Sequence, residues 1–148
     1  MTTIYVAIYN PTDKRDPCHW ALWLKATDGQ SVILQVGDEK NGRGYYVEDP
    51  IYKEPMRSAR LAEAIECGTI PSSKHNQAVL LIQAHSVDNQ STTWNCQAWV
   101  MENLENLEQH GLLQVPPAVK ASLQAKRQNW QWKQVMSFFD PMMERETG

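Results

Sequence analysis

Two short segments far apart in the chain carry residue types suited to thiol chemistry: Cys18-His19-Trp20-Ala21-Leu22-Trp23 and Trp94-Asn95-Cys96-Gln97-Ala98-Trp99. The second opens an amphipathic stretch in which Trp99, Val100, Leu104 and Leu107 recur at helical spacing as far as His110, where Gly111 stops it. Glu102, Glu105 and Glu108 are free to face water. Asn95 or Thr93 can cap this helix, and either choice puts Cys96 in its first turn. There, unpaired N–H groups and the positive end of the helix dipole favour a thiolate. The first segment alternates like a strand, with His19, Ala21, Trp23 and Lys25 on one face and Trp20, Leu22 and Leu24 on the other. A thiol at a helix start and an imidazole on a neighbouring strand supply the nucleophile and base of an acyl-transfer site. The N–H of Cys96 is the first expected oxyanion donor, and Asn95 and Gln97 are candidates for a side-chain donor. Trp23 and Trp94 are candidates for flanking the thiol and lining a substrate groove.

The remaining titratable residues compete less well. Cys18 adjoins His19 but points to the opposite sheet face, toward a core, and Cys67 before Gly68 suits helix-end packing. His85, ending an apolar run, is the alternative base. His75 lies in a polar loop, and His110 suits the favourable end of a helix dipole. Asp38 and Asp49 fit turns better than a third catalytic position.

Several elements must position these residues. Thr3 to Tyr9 is a β-branched and aromatic strand that ends at Asn10-Pro11-Thr12-Asp13, and Cys18 to Ala26 is the next strand. Asp28-Gly29 supplies turn chemistry before a hairpin partner from Ser31 to Val36. A strand is expected over 42–47, a short helix over 57–67, and a central strand over the apolar run 78–85. A polar loop, 86–93, leads into the cysteine helix, and a second helical region is expected from Ala118 to Phe139.

Length and composition bound the class. At 148 residues the chain fits a single domain with its own core. A net charge of −3 with no basic stripe argues against nucleic acid as a partner. Three cysteines without framework spacing fit reduced thiols, and no C-x-x-C or H-x-x-x-H pattern supports a zinc site; no cofactor is expected. The N-terminus lacks a signal-peptide pattern and no segment is long and apolar enough to span a bilayer, so a cytoplasmic location is expected.

Taken in order, a His-Trp-Ala strand, its hairpin partner and, much later, Asn-Cys at the head of a helix resemble the circularly permuted papain-like superfamily. That superfamily includes NlpC-type peptidases and lecithin retinol acyltransferase-like proteins. The resemblance spans about Cys18 to Glu108. It implies an α+β fold, an antiparallel sheet packed on a helix bearing the cysteine at its N-terminus, with a papain-like core over 1–115 and a C-terminal helical extension over 116–148. It also implies a third residue that orients the histidine from the next strand, and Gln35 fits that position. The acyltransferase-like members usually have histidine there. A glutamine carbonyl is expected to accept Nδ1–H of His19 and fix its tautomer, although it cannot neutralise an imidazolium as a carboxylate would.

A membrane tail of the kind those acyltransferases often carry is missing. Trp130 to Phe139, with Met142 and Met143, is apolar enough to need covering: by the sheet, by a second subunit in a homodimer, or by a hydrophobic substrate. The expected activity is that of a cysteine hydrolase or acyltransferase acting on an amide, ester or thioester of a small molecule or peptide. Cys96 would attack, and His19 would serve as base and then acid. Two alternatives stand beside it: a non-hydrolytic isomerase or cyclase using His19 as acid/base, and a catalytically inactive papain-like binding module.

Overall fold

The computed structural model describes residues 1–12, 16–39 and 44–128. Strand β1, Thr2–Tyr9, alternates Ile4, Val6 and Ile8 with residues of the opposite face, and pairs antiparallel with β2, His19–Ala26. The turn after β2 uses the expected Asp28-Gly29. Gly29 adopts φ 95°, in the left-handed region, and Asp28 Oδ1 accepts the N–H of Gln30 at 2.9 Å. Strand β3, Ser31–Leu34, then pairs back onto β2.

The hairpin partner expected to run to Val36 stops two residues earlier, at Leu34. Gln35 leaves the ladder, and the chain resumes as β4, Val36–Asp38, in a separate two-stranded ribbon with β5, Tyr45–Val47. The strand expected over 42–47 is therefore confined to Tyr45–Val47, and 42–43 lie outside the described residues.

Two sequence expectations exchange identities. The helix expected over 57–67 is instead a short 3-10 turn, Pro55–Arg57, followed by β6, Leu61–Ile70. Its alanines and glutamates favour a helix locally, but β1 has an open edge, and pairing with it prevails over propensity. The strand expected over 78–85 is instead helix α1, His75–Gln83, which turns only Ala78 and Ile82, one helical repeat apart, fully inward. A short apolar run has no decisive period, and this one leaves Leu80 facing water.

The main sheet has the order β3-β2-β1-β6, all antiparallel. Helix α2, Cys96–Gln109, lies against the sheet face that carries Ile4, Val6, Trp20, Leu22, Leu24 and Leu34. Trp99, Val100, Leu104 and Leu107 complete that core. The fold is thus α+β, an antiparallel sheet covered by the cysteine-bearing helix. A bulge in β6 places Gly68 at φ 139°, where an added Cβ would crowd Leu113 and the Gln114 carbonyl, so glycine is favoured.

Helix α3, Pro117–Lys126, follows, with Leu123 fully buried and Lys126 paired to Glu63 at 2.9 Å. Arg127 is already extended, so the helix expected to reach Phe139 ends at Lys126 within the described range. Its continuation, the apolar stretch 130–143 and any dimer contact through it lie outside the described residues. Among those residues no helix is long and apolar enough to cross a membrane.

Candidate active site

The start of α2 is set by Asn95. Its backbone is extended, and its Oδ1 accepts the N–H groups of Gln97 at 3.0 Å and Ala98 at 3.2 Å. Its own carbonyl accepts from Trp99 at 3.1 Å. Thr93, the other expected cap, is engaged with Ser91 in the preceding turn. Cys96 is therefore the first helical residue, and it is 8% exposed.

His19 is the first residue of β2, opposite Tyr9 on β1, with their rings 5.6 Å apart. Its Nε2–H donates to Gln35 Oε1 at 2.7 Å, and Gln35 Nε2 donates to Glu48 Oε2 at 3.1 Å. The carboxylate only accepts, so it fixes which end of the Gln35 amide faces the ring. The Glu48 N–H donates to the Gln35 carbonyl at 3.0 Å, tying the two residues through the main chain as well.

The sequence had suggested Nδ1–H as the donor to Gln35. The structure reverses the ring's roles: it is Nε2, not Nδ1, that faces the Gln35 carbonyl. Nδ1 is left for the Cys96 sulfur. Burial alone would push the imidazole down, but a hydrogen bond and charge attraction from Cys96, with Gln35 and Glu48 behind it, hold it up at about 9. Glu48 was missed because no spacing rule links it to Gln35. Only the β4–β5 ribbon folds them together; Asp38 ends β4 opposite Tyr45, and Asp49 lies just past β5.

A second network joins the two chemical segments. Gln97 Nε2 donates to the Cys18 carbonyl at 2.9 Å, and the Cys96 thiol lies 3.9 Å from the same oxygen. Gln97 is fully buried, and its side chain is committed to Cys18 and Gln128 rather than to open space. The Asn95 amide is likewise committed: Oδ1 to the helix cap and Nδ2 to the Gln128 carbonyl at 3.3 Å. Gln128 carries no motif, so sequence spacing gave no signal for it.

Of the two tryptophans expected to line a groove, Trp94 is in the wall of a hollow between α2 and α3, and Trp23 lines neither that hollow nor the cleft beside His19. Trp23 shares the His19 face but lies about 13 Å along the strand by strand rise. It stacks on Tyr5 at 4.4 Å and donates to Ser31. Trp94 meets Tyr45 edge-on and donates to Glu102 at 2.9 Å. His85, the alternative base, pairs with the same Glu102 at 2.7 Å. His75 contacts Thr2, and His110 donates to the Asn106 carbonyl near the end of α2. Cys18 is partly buried against the core, and Cys67, on β6 rather than at a helix end, is fully buried with its thiol pushed up to about 12 by burial.

Two hollows adjoin these groups. A cleft of about 550 Å³ opens on the outer sheet face beside His19 and Gln35, walled by Tyr9, Ile33, Ile51 and Arg60. A larger groove of about 1290 Å³ runs between α2 and α3 past Met101 and Leu123, with neither Cys96 nor His19 in its wall. His19 and Gln35 belong to the smaller one, and Cys96 lines neither. Among the described residues no cluster of three or more His, Cys, Asp or Glu could hold a metal ion.

A family model matches residues 4–114, three quarters of the chain, from within β1 to past the end of α2. The chain belongs to that family, described as a family of unknown function (DUF6540). Its matched span holds His19, Gln35, Glu48 and Cys96 together, whereas α3 and Gln128 lie beyond it. No curated protein and no solved structure matches the chain.

Proposed function

We propose that this chain is a cysteine-dependent hydrolase or acyltransferase with a permuted papain-like core. One observation carries the reading: Cys96 at the start of α2 meets the imidazole of His19, which is itself held from behind by Gln35 and Glu48. In this mechanism the proton shared by Cys96 and His19 rests on the imidazolium, and the thiolate attacks the carbonyl carbon of an amide, ester or thioester. The negative oxygen is held by the Cys96 N–H, the donor left over once Asn95 has taken those of Gln97, Ala98 and Trp99. The imidazolium then protonates the departing amine, alcohol or thiol as the carbon–heteroatom bond breaks. His19 finally deprotonates water or a second nucleophile, which cleaves the thioester and regenerates the thiol. Glu48, acting through the Gln35 amide, opposes the positive charge that His19 carries midway. Three free cysteines suit a reducing compartment, consistent with the cytoplasm.

A second reading draws on one further observation: His19 and Gln35 wall the outer cleft, and Cys96 does not. In that reading His19 is an acid/base for a non-hydrolytic step on a small molecule, and Cys96 is incidental.

Substoichiometric iodoacetamide separates the two. Under the thiol reading Cys96 is alkylated first, labelling persists as pH is lowered, and His19→Ala slows it by roughly tenfold or more because the cation that favours the thiolate is gone. Cys67 stays inert. Equal slow labelling of Cys18, Cys67 and Cys96 sinks the nucleophile, and fast labelling with no loss of turnover in Cys96→Ser transfers the site to His19.

A further inference from the structure

Gln128, two residues past Lys126 and its contact with Glu63, is bound by both residues that flank Cys96 in the chain and by Cys18. Its side-chain carbonyl accepts from the Cys18 N–H at 2.6 Å and from Gln97 Nε2 at 3.2 Å. Its backbone N–H donates to Gln97 Oε1 at 2.7 Å, and its backbone carbonyl accepts from Asn95 Nδ2 at 3.3 Å. Both main-chain polar groups and the side chain of one residue are thus recognised at once. That pattern is how a cleft reads one residue of an extended peptide, with the main chain fixing register and a polar side chain giving specificity. The bonds come from Asn95 before Cys96, from Gln97 after it, and from Cys18, whose carbonyl lies against the Cys96 thiol.

The groups that bind Gln128 are built, whereas Gln128 is not. Asn95 and Gln97 are 1% and 0% exposed, while Gln128 itself is exposed and lies beyond both α3 and the span shared with the family. A buried asparagine and a buried glutamine would be left with unmet donors and an unmet acceptor if Gln128 withdrew, and meeting such groups is what a ligand does. We propose that the rim of the Cys96 site is a subsite for a glutamine residue in an extended peptide, and that Gln128 occupies it in cis as a displaceable plug. The ligand class is a peptide that presents a side-chain carboxamide, and the chain's own Gln128 competes with it. The assignment rests on Cys96 being the reactive group, and it deepens that reading by naming what is read beside it.

The test compares alkylation of Cys96 by iodoacetamide in the full chain and in Gln128→Ala. An exposed residue can be replaced with the fold intact, and Cys67, fully buried, is the internal gauge of unfolding because it stays unlabelled in a folded chain. The expected result is Cys96 labelling at least fivefold faster in Gln128→Ala. Adding the amidated tetrapeptide Ala-Lys-Arg-Gln to that variant should slow labelling again, and the same peptide with norleucine for glutamine should leave it fast. Equal rates in the two proteins, or equal protection by the two peptides, overturns the subsite. Failure of the thiol reading looks different: Cys96 would then label slowly in both proteins and without regard to His19→Ala.

Discussion

At the scale of single residues, the imidazole of His19 is the most informative group in the molecule. Burial works against its charge, and the Cys96 sulfur, Gln35 and Glu48 outweigh burial and keep it protonated to about pH 9. In Cys96→Ser the largest of those opposing partners is gone, so His19 should titrate clearly lower than in the native chain; an unchanged titration would show that the sulfur does not govern it. The same shift bears on stability. The folded value lies above the ordinary 6.5, so the stabilising contribution is fully present below pH 6.5 and disappears as pH rises through about 9. The urea midpoint of the native chain should therefore exceed that of His19→Gln by more at pH 6 than at pH 9.5. A gap that stays constant between those two pH values would refute the linkage.

At the scale of elements, the start of α2 fixes both the helix and the chemistry. Removing the Asn95 cap in Asn95→Ala should cost about 1 kcal/mol in urea unfolding, while Asn95→Ser, which keeps an acceptor oxygen, should recover most of it. Full stability in the alanine variant would mean the cap is idle. This element was also the most legible in the sequence. Asn95 before an amphipathic run announced both the cap and the placement of Cys96, and alternation announced β1 and β2. Residues 61–70 and 75–83 were not legible, because their local signals were overruled by partners. The first is alanine- and glutamate-rich yet fills an open sheet edge, and the second holds an apolar run, 78–82, yet needs only two residues inward to dock. For the same reason Gln35 could be named from its place after His19, but Glu48 could not. Its distance to Gln35 exists only once β4 and β5 have paired.

For the molecule as a whole, the site rests on supports of unequal strength. His19 starts a strand flanked on both sides within the four-stranded sheet, and Cys96 starts the helix that covers it, so both belong to the main core. Gln35 and Glu48 flank the open end of a three-pair ribbon anchored through Val36, Val47 and the bond from Gln83 Nε2 to the Glu48 carbonyl at 2.9 Å. Two-stranded ribbons open more readily than a packed sheet. Backbone amides of β4 and β5 should exchange with deuterium at least tenfold faster than those of Val6 and Leu22. Equal protection would place the ribbon in the same cooperative unit as the sheet.

The neighbouring ring of Tyr9 gives His19 a spectroscopic address. An aromatic ring whose centre lies 5.6 Å away, tilted by 40°, casts a local magnetic field over the imidazole protons. Four histidines share the chain, and among the described residues His19 is the one with such a ring beside it. Its proton resonances should therefore stand apart from those of His75, His85 and His110, so that its titration can be followed in the intact protein without a label. Tyr9→Leu would move that resonance back among the others and so assign it.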